Sequence, residues 1–75
     1  MMVEIGPYYK KSLGLIAENT DREASSEEQN RLNVLLVSAF MLHAKYGIHA
    51  ELGTVLDLVG EAYAKICGAA EAGLL

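Results

Sequence analysis

The sequence predicts an all-α fold. A short first helix is expected over about residues 7–18, followed by a long antiparallel helical hairpin over about 26–46 and 49–70. Three observations predict it. Apolar residues recur at helical spacing in each segment. The middle segment carries a start signal and a stop signal at its two ends. No stretch alternates apolar and polar residues as a half-buried strand does.

The first helix is marked by Gly6-Pro7. Proline at the first helical position loses only an amide that has no partner there. Tyr9, Leu13 and Ile16 then follow at spacings of four and three, on one face. Gly14 weakens the segment by about 1 kcal/mol relative to alanine. Asn19 and Thr20 are expected to end it.

The second helix is the best marked. Ser25 with Glu28, or Ser26 with Gln29, has the spacing of a capping box. Glu27 and Glu28 fall in the first turn and Lys45 in the last, each favoured by the helix dipole. Gly47 is the expected left-handed stop. Between these ends lies "NVLLVSAFMLHA", apolar on nearly every side. A helix of that kind must be covered all round.

In the third helix, Leu52, Leu56, Val59, Tyr63, Ile66 and Ala70 step by 4, 3, 4, 3 and 4. This is a heptad-like seam. Beside it runs a row of small residues: Gly53, Gly60, Ala64, Cys67 and Gly68. Each glycine costs helix stability, and close approach of another backbone is the reason to keep it. Glu51, Asp57, Glu61 and Lys65 form the wet face. "GAAEAGLL" is expected to fray. The stretch "HAKYGIHAELG", residues 43–53, is therefore the turn of the hairpin.

The chain has 75 residues, which implies one domain spanning 1–75. A chain so short buries little and is marginal alone. Yet 52% of it is apolar, mostly Leu, Val, Ala and Ile, with one Phe and no Trp. Such a surplus of apolar helix surface implies completion by oligomerisation or by a partner helix.

The formal net charge is −4 and the pI near 5.0. Lys10, Lys11, Arg22, Arg31, Lys45 and Lys65 are scattered, so no basic stripe exists to displace counterions from phosphates. Nucleic acid is not an expected partner, and an acidic helical transcription factor ranks last for the same reason. The apolar run Val34–Leu42 is about half the 20 or so residues a spanning helix needs. "MMVEIGPYYKKS" lacks a basic region followed by an apolar block, so no secretory signal is expected. Cys67 alone cannot close an intrachain disulfide, which fits a reducing, cytoplasmic compartment.

No constellation stands out as catalytic, and no cofactor or metal is expected. His43 and His49 are six residues apart across a glycine, whereas metal pairs on a helix are three or four apart. Cys67 falls late in a helix, the wrong end of the dipole for a thiolate. Glu27, Glu28, Glu51, Asp57 and Glu61 each fit a cap or a solvated face. No titratable residue has a context that tunes it for acid–base work. The expected activity is non-enzymatic binding of a protein. The expected contact residues are Tyr8, Tyr9, Val34, Val37, Phe40, Met41, Leu52, Leu56, Val59, Gly60 and Tyr63. Tyrosine offers a large apolar area with a polar tip, which suits contacts. Tyr8 and Tyr9 are adjacent on a helix and cannot both face one core, so one of them is expected outside or on a partner.

Residues 35–59, "LLVSAFMLHAKYGIHAELGTVLDLV", resemble one helix–turn–helix unit of the tetratricopeptide type. Small helical co-chaperones of the bacterial type III secretion needle contain such units. Gly47, His49 and Glu51 stand in comparable places, while Leu52 stands where the repeat has alanine and Phe40 where it has glycine. The resemblance implies a cytoplasmic chaperone or adaptor that shields an aggregation-prone helical subunit before export. The alternative is a small homodimeric regulator or inhibitor, of the kind a phage or plasmid encodes, that occludes a host protein.

Overall fold

The computed structural model describes residues 5–75, which form three helices with no strand among them. They are α1 (Gly6–Thr20), α2 (Ser26–Tyr46) and α3 (Leu52–Glu71).

Proline stands in the first turn of α1 as expected. The helix runs one or two residues past its predicted end. Thr20 Oγ1 lies 2.7 Å from Ile16 O and 3.0 Å from Arg22 O, so its hydroxyl is satisfied inside the last turn. The stop falls on Asp21, which takes the left-handed conformation at φ 57° and donates its N–H to Ala17 O. Aspartate tolerates that region better than most residues.

The ends of α2 match the sequence reading. Ser25 Oγ accepts from Glu28 N at 3.1 Å, and Glu28 Oε1 accepts from Ser25 N at 2.9 Å. Gly47 closes the helix at φ 57°. α3 starts three residues later than expected, at Leu52, behind an extended Glu51 whose side chain makes no cap. The intervening turn is held by His43, whose Nε2 lies 2.7 Å from Ala50 O.

The core is a single cluster of Ile16, Leu32, Leu36, Leu56, Tyr63, Ala64 and Cys67. Among the described residues, the tightest approach is between α1 and α3, not within the α2–α3 hairpin. The glycine row makes that approach possible. A Cβ on Gly53 would lie 2.7 Å from Tyr8 Oη, and one on Gly68 would lie 3.0 Å from Asn19 O. A Cβ on Gly60 would collide with Ser12 Oγ and lie 2.9 Å from Ser12 Cβ. The pairs Tyr8–Gly53, Ser12–Gly60 and Asn19–Gly68 advance together along both helices, so α1 and α3 run parallel. Ser12 is buried in this contact, its hydroxyl donating to Tyr8 O at 2.8 Å.

Two expectations are corrected. The heptad spacing carries the α3 seam through Ile66 and Ala70, but both are exposed. The buried line is Leu56, Gly60, Tyr63, Ala64 and Cys67. A straight helix drifts by about 20° per heptad from a strict 3.5-residue repeat, so the seam moves onto Ala64 and Cys67 within two heptads. Adjacency on one helix predicts one exposed ring between Tyr8 and Tyr9. Both are half-buried. α1 lies against both other helices, so adjacent side chains diverge to different neighbours. Tyr8 reaches Gly53 on α3, and Tyr9 Oη lies 3.5 Å from Gln29 Oε1 on α2.

Candidate functional site

The second helix is buried along one stripe only. Leu32 and Leu36 are fully buried, one turn apart, and Ala39, Phe40 and His43 extend the stripe half-buried. The rest of its apolar surface faces outward. Val34 is 62% exposed and Met41 63%, with Leu35, Val37 and Leu42 also exposed. A single stripe of contact covers about a third of a helix, and the sequence supplies apolar residues for nearly all of it. The described residues include no fourth helix to lay over the remainder. Soluble monomers rarely expose contiguous apolar patches beyond a few hundred Å², and larger ones mark interaction sites.

A groove of about 340 Å³ opens on this surface, lined by Asn30, Arg31, Val34, Leu35 and Tyr63. Its floor joins α2 to α3 through the Tyr63 ring. Ile66, three residues beyond Tyr63 on α3, is 52% exposed. Arg31 sits at the rim and pairs with Glu27 one turn back.

The expected contact residues thus divide. Val34, Val37 and Met41 lie together on the outer face of α2. Phe40, Leu52 and Val59 are half-buried, as are Tyr8 and Tyr9. Leu56, Gly60 and Tyr63 are buried inside the chain, where they meet its own helices. A partner cannot reach Gly60 without displacing Ser12 of α1, and Leu56 is fully buried in the core. Leu35 and Leu42 belong with the exposed group although the sequence reading does not single them out. Their signal is the same continuous apolar run, which does not say which of its residues the fold covers.

The titratable groups gather elsewhere, at the junction of the α1–α2 link with the end of α3. Arg22 donates to Glu28 Oε1 at 2.7 Å and Oε2 at 3.0 Å, and to Glu71 Oε2 at 2.9 Å. The Arg22 hydrogen bonds, joined by that from Ser25 N, hold the Glu28 carboxyl down at about 2. The same two carboxylates raise the Arg22 guanidinium above its ordinary value. Burial pushes the Cys67 thiol up, the opposite of what a nucleophilic thiolate requires. Burial, then the neighbouring Cys67, pushes the Tyr63 phenol up as well. The cluster ties three segments together at one end of the bundle. His43 and His49 stay near the turn at the other end. Among the described residues, no group of three or more His, Cys, Asp or Glu side chains is placed to hold a metal ion. Nor is any described helix long and apolar enough to cross a membrane.

This cluster sets an acid dependence. Glu28 titrates near 4.5 when unfolded and about 2 when folded. Its stabilisation is therefore complete above the unfolded value and is lost as the pH falls through the folded one. Thermal melts from pH 6 to pH 2 are expected to show a steep fall below about pH 4.5. Glu28→Gln should melt lower at neutral pH and lose less on acidification. An equally steep acid limb in the variant would place the proton uptake elsewhere.

No protein-family model, curated protein or solved structure matches this chain.

Proposed function

We propose that the chain is a non-enzymatic protein-interaction module whose outer α2 face takes up an apolar helix. The observation that carries this reading is the exposure of Val34 and Met41, with Leu35, Val37 and Leu42 beside them, on a helix otherwise anchored in the core. Transfer of such side chains out of water contributes about 25 cal/mol for each Å² buried. A helix is the fitting occupant, because the groove is apolar and bordered by only a few polar groups. Amphipathic helices dock in such grooves through residues spaced three and four apart. A cytoplasmic chaperone or adaptor of the kind the tetratricopeptide resemblance implies is one form of this module. A homodimeric regulator is the other.

A photo-activated cross-linking residue in place of Met41, introduced in the native cell, tests the reading. The chain is expected to form a discrete adduct from position 41 and none from Lys10, which is exposed on α1 away from the face. The triple variant His43→Gln, His49→Gln, Cys67→Ala is expected to keep the affinity within about tenfold, roughly 1.4 kcal/mol. No adduct at position 41, or loss of binding in a folded triple variant, removes the module reading.

A further inference from the structure

The outer face of α2 carries an order of its own. Glu27, Arg31, Val34, Ser38, Met41 and Lys45 follow one another at spacings of 4, 3, 4, 3 and 4, and all six are exposed. At about 100° per residue they lie opposite the buried Leu32–Leu36 stripe. This is the 3.5-residue repeat of a seam between two helices, on the exposed face of α2, where Arg31 and Val34 border the groove that reaches Tyr63 on α3.

The seam is self-complementary when reversed. Laid antiparallel on itself with its ends aligned, it pairs Glu27 with Lys45, Arg31 with Met41 and Val34 with Ser38, and then repeats the same layers in reverse. Every layer is filled and both ends oppose unlike charges. A parallel arrangement would set Glu27 against Glu27 and Lys45 against Lys45. A shift by one heptad in either direction leaves a charged end unopposed. The two α2 dipoles also lie side by side and opposed in the antiparallel pair, each positive end beside the other's negative end. Lys45 is free for this role: it has no carboxylate partner among the described residues, and its Nζ rests 5.3 Å from the Tyr46 ring centroid. Arg31 already shares Glu27 within its own helix, so its stem can lie over Met41 while its charge stays paired.

We propose that the helix taken up by this face is α2 of a second copy of the chain, running antiparallel about a two-fold axis. The inference rests on the interaction reading above and names its occupant. Two-fold pairing presents the same patch from both copies and so closes without leaving the face open to further addition.

Charge reversal tests it on the full chain by analytical ultracentrifugation. The native protein is expected to sediment at twice the chain mass at tens of micromolar. Glu27→Lys places a second ammonium opposite Lys45 at both ends of the pair, and Lys45→Glu places a second carboxylate opposite Glu27. Each single variant is expected to weaken the dimer about tenfold or more. An equimolar mixture of the two should regain native affinity within about threefold, because only the mixed pair opposes unlike charges at both ends. Glu27→Gln and Lys45→Gln provide a milder pair should a reversal disturb the helix by circular dichroism. They are expected to weaken the dimer less, and their mixture to regain part of the loss, because the mixed pair restores one of the two Glu27–Lys45 contacts. A native monomer at about 100 µM overturns the proposal, and so does a dimer indifferent to the reversals or a mixture no tighter than its components. If the native chain is monomeric while position 41 still cross-links to a different protein, self-pairing fails and the module reading stands. If position 41 captures nothing, both fail.

Discussion

Gly60→Leu is expected to destabilise the fold by at least about 1–3 kcal/mol, the usual cost of forcing extra methylenes into a filled contact. Even the first added carbon has nowhere to go. It would meet Ser12 Oγ and lie 2.9 Å from Ser12 Cβ. The hydroxyl can rotate, at the expense of its bond to Tyr8 O, but the Cβ can move only with the backbone of α1. The helices must therefore separate, and the clearances at Gly53 and Gly68 open with them. Gly14→Ala gives the matching control, because nothing lies within 4 Å of a Cβ there. It should stabilise by roughly 1 kcal/mol, the propensity gain of alanine over glycine. Chemical denaturation of both variants reads the two signs directly. Ser12→Gly should recover part of the loss at Gly60, since it removes the two atoms in conflict, and the coupling appears in the double-mutant cycle. A Gly60→Leu protein that melts higher than the native one would mean that α1 does not seat on the glycine row.

The parts of this fold that are legible in the sequence are those set by neighbours a few residues apart. The ends of α2 depend on Ser25 with Glu28 and on the left-handed Gly47, both local, and both stand where the spacing places them. The start of α3 escapes such reasoning because no capping side chain marks it. The turn before it is held by His43 on Ala50, a contact between residues in two different segments. The small-residue row announces a close approach, but a row of glycines says only that a backbone can come near. That α1 is the one to do so depends on Ser12 and Asn19 facing it in register, which no period within α3 encodes. The continuous apolar run of α2 hides its own division for a similar reason. When every position is apolar, periodicity cannot say which stripe the fold buries. Once Leu32 and Leu36 are placed inside, the opposite stripe from Glu27 to Lys45 follows from helix geometry alone.

That division yields the second large expected effect, in two alanine substitutions on the same helix. Leu36 is fully buried and Met41 is 63% exposed. Leu36→Ala removes methyl groups from a filled core and leaves a cavity, at a cost of about 2–5 kcal/mol. In a domain this small that is most of the stability available. Met41→Ala leaves the core untouched, so at low concentration its unfolding free energy should stay within about 0.5 kcal/mol of the native value. The two differ again as concentration rises. If α2 is covered by a second copy, association adds to the stability of the native chain, and its melting temperature climbs with protein concentration. Leu36→Ala should keep some of that climb as long as it folds, since its outer face is intact. Met41→Ala should lose much of it, because the side chain it removes lies in the seam and not in the core. Thermal melts at several concentrations from about 1 to 100 µM separate the cases. A Met41→Ala protein as damaged as Leu36→Ala at the lowest concentration would show that the outer face of α2 is structural within a single chain. The exposed stripe would then need an explanation other than a partner.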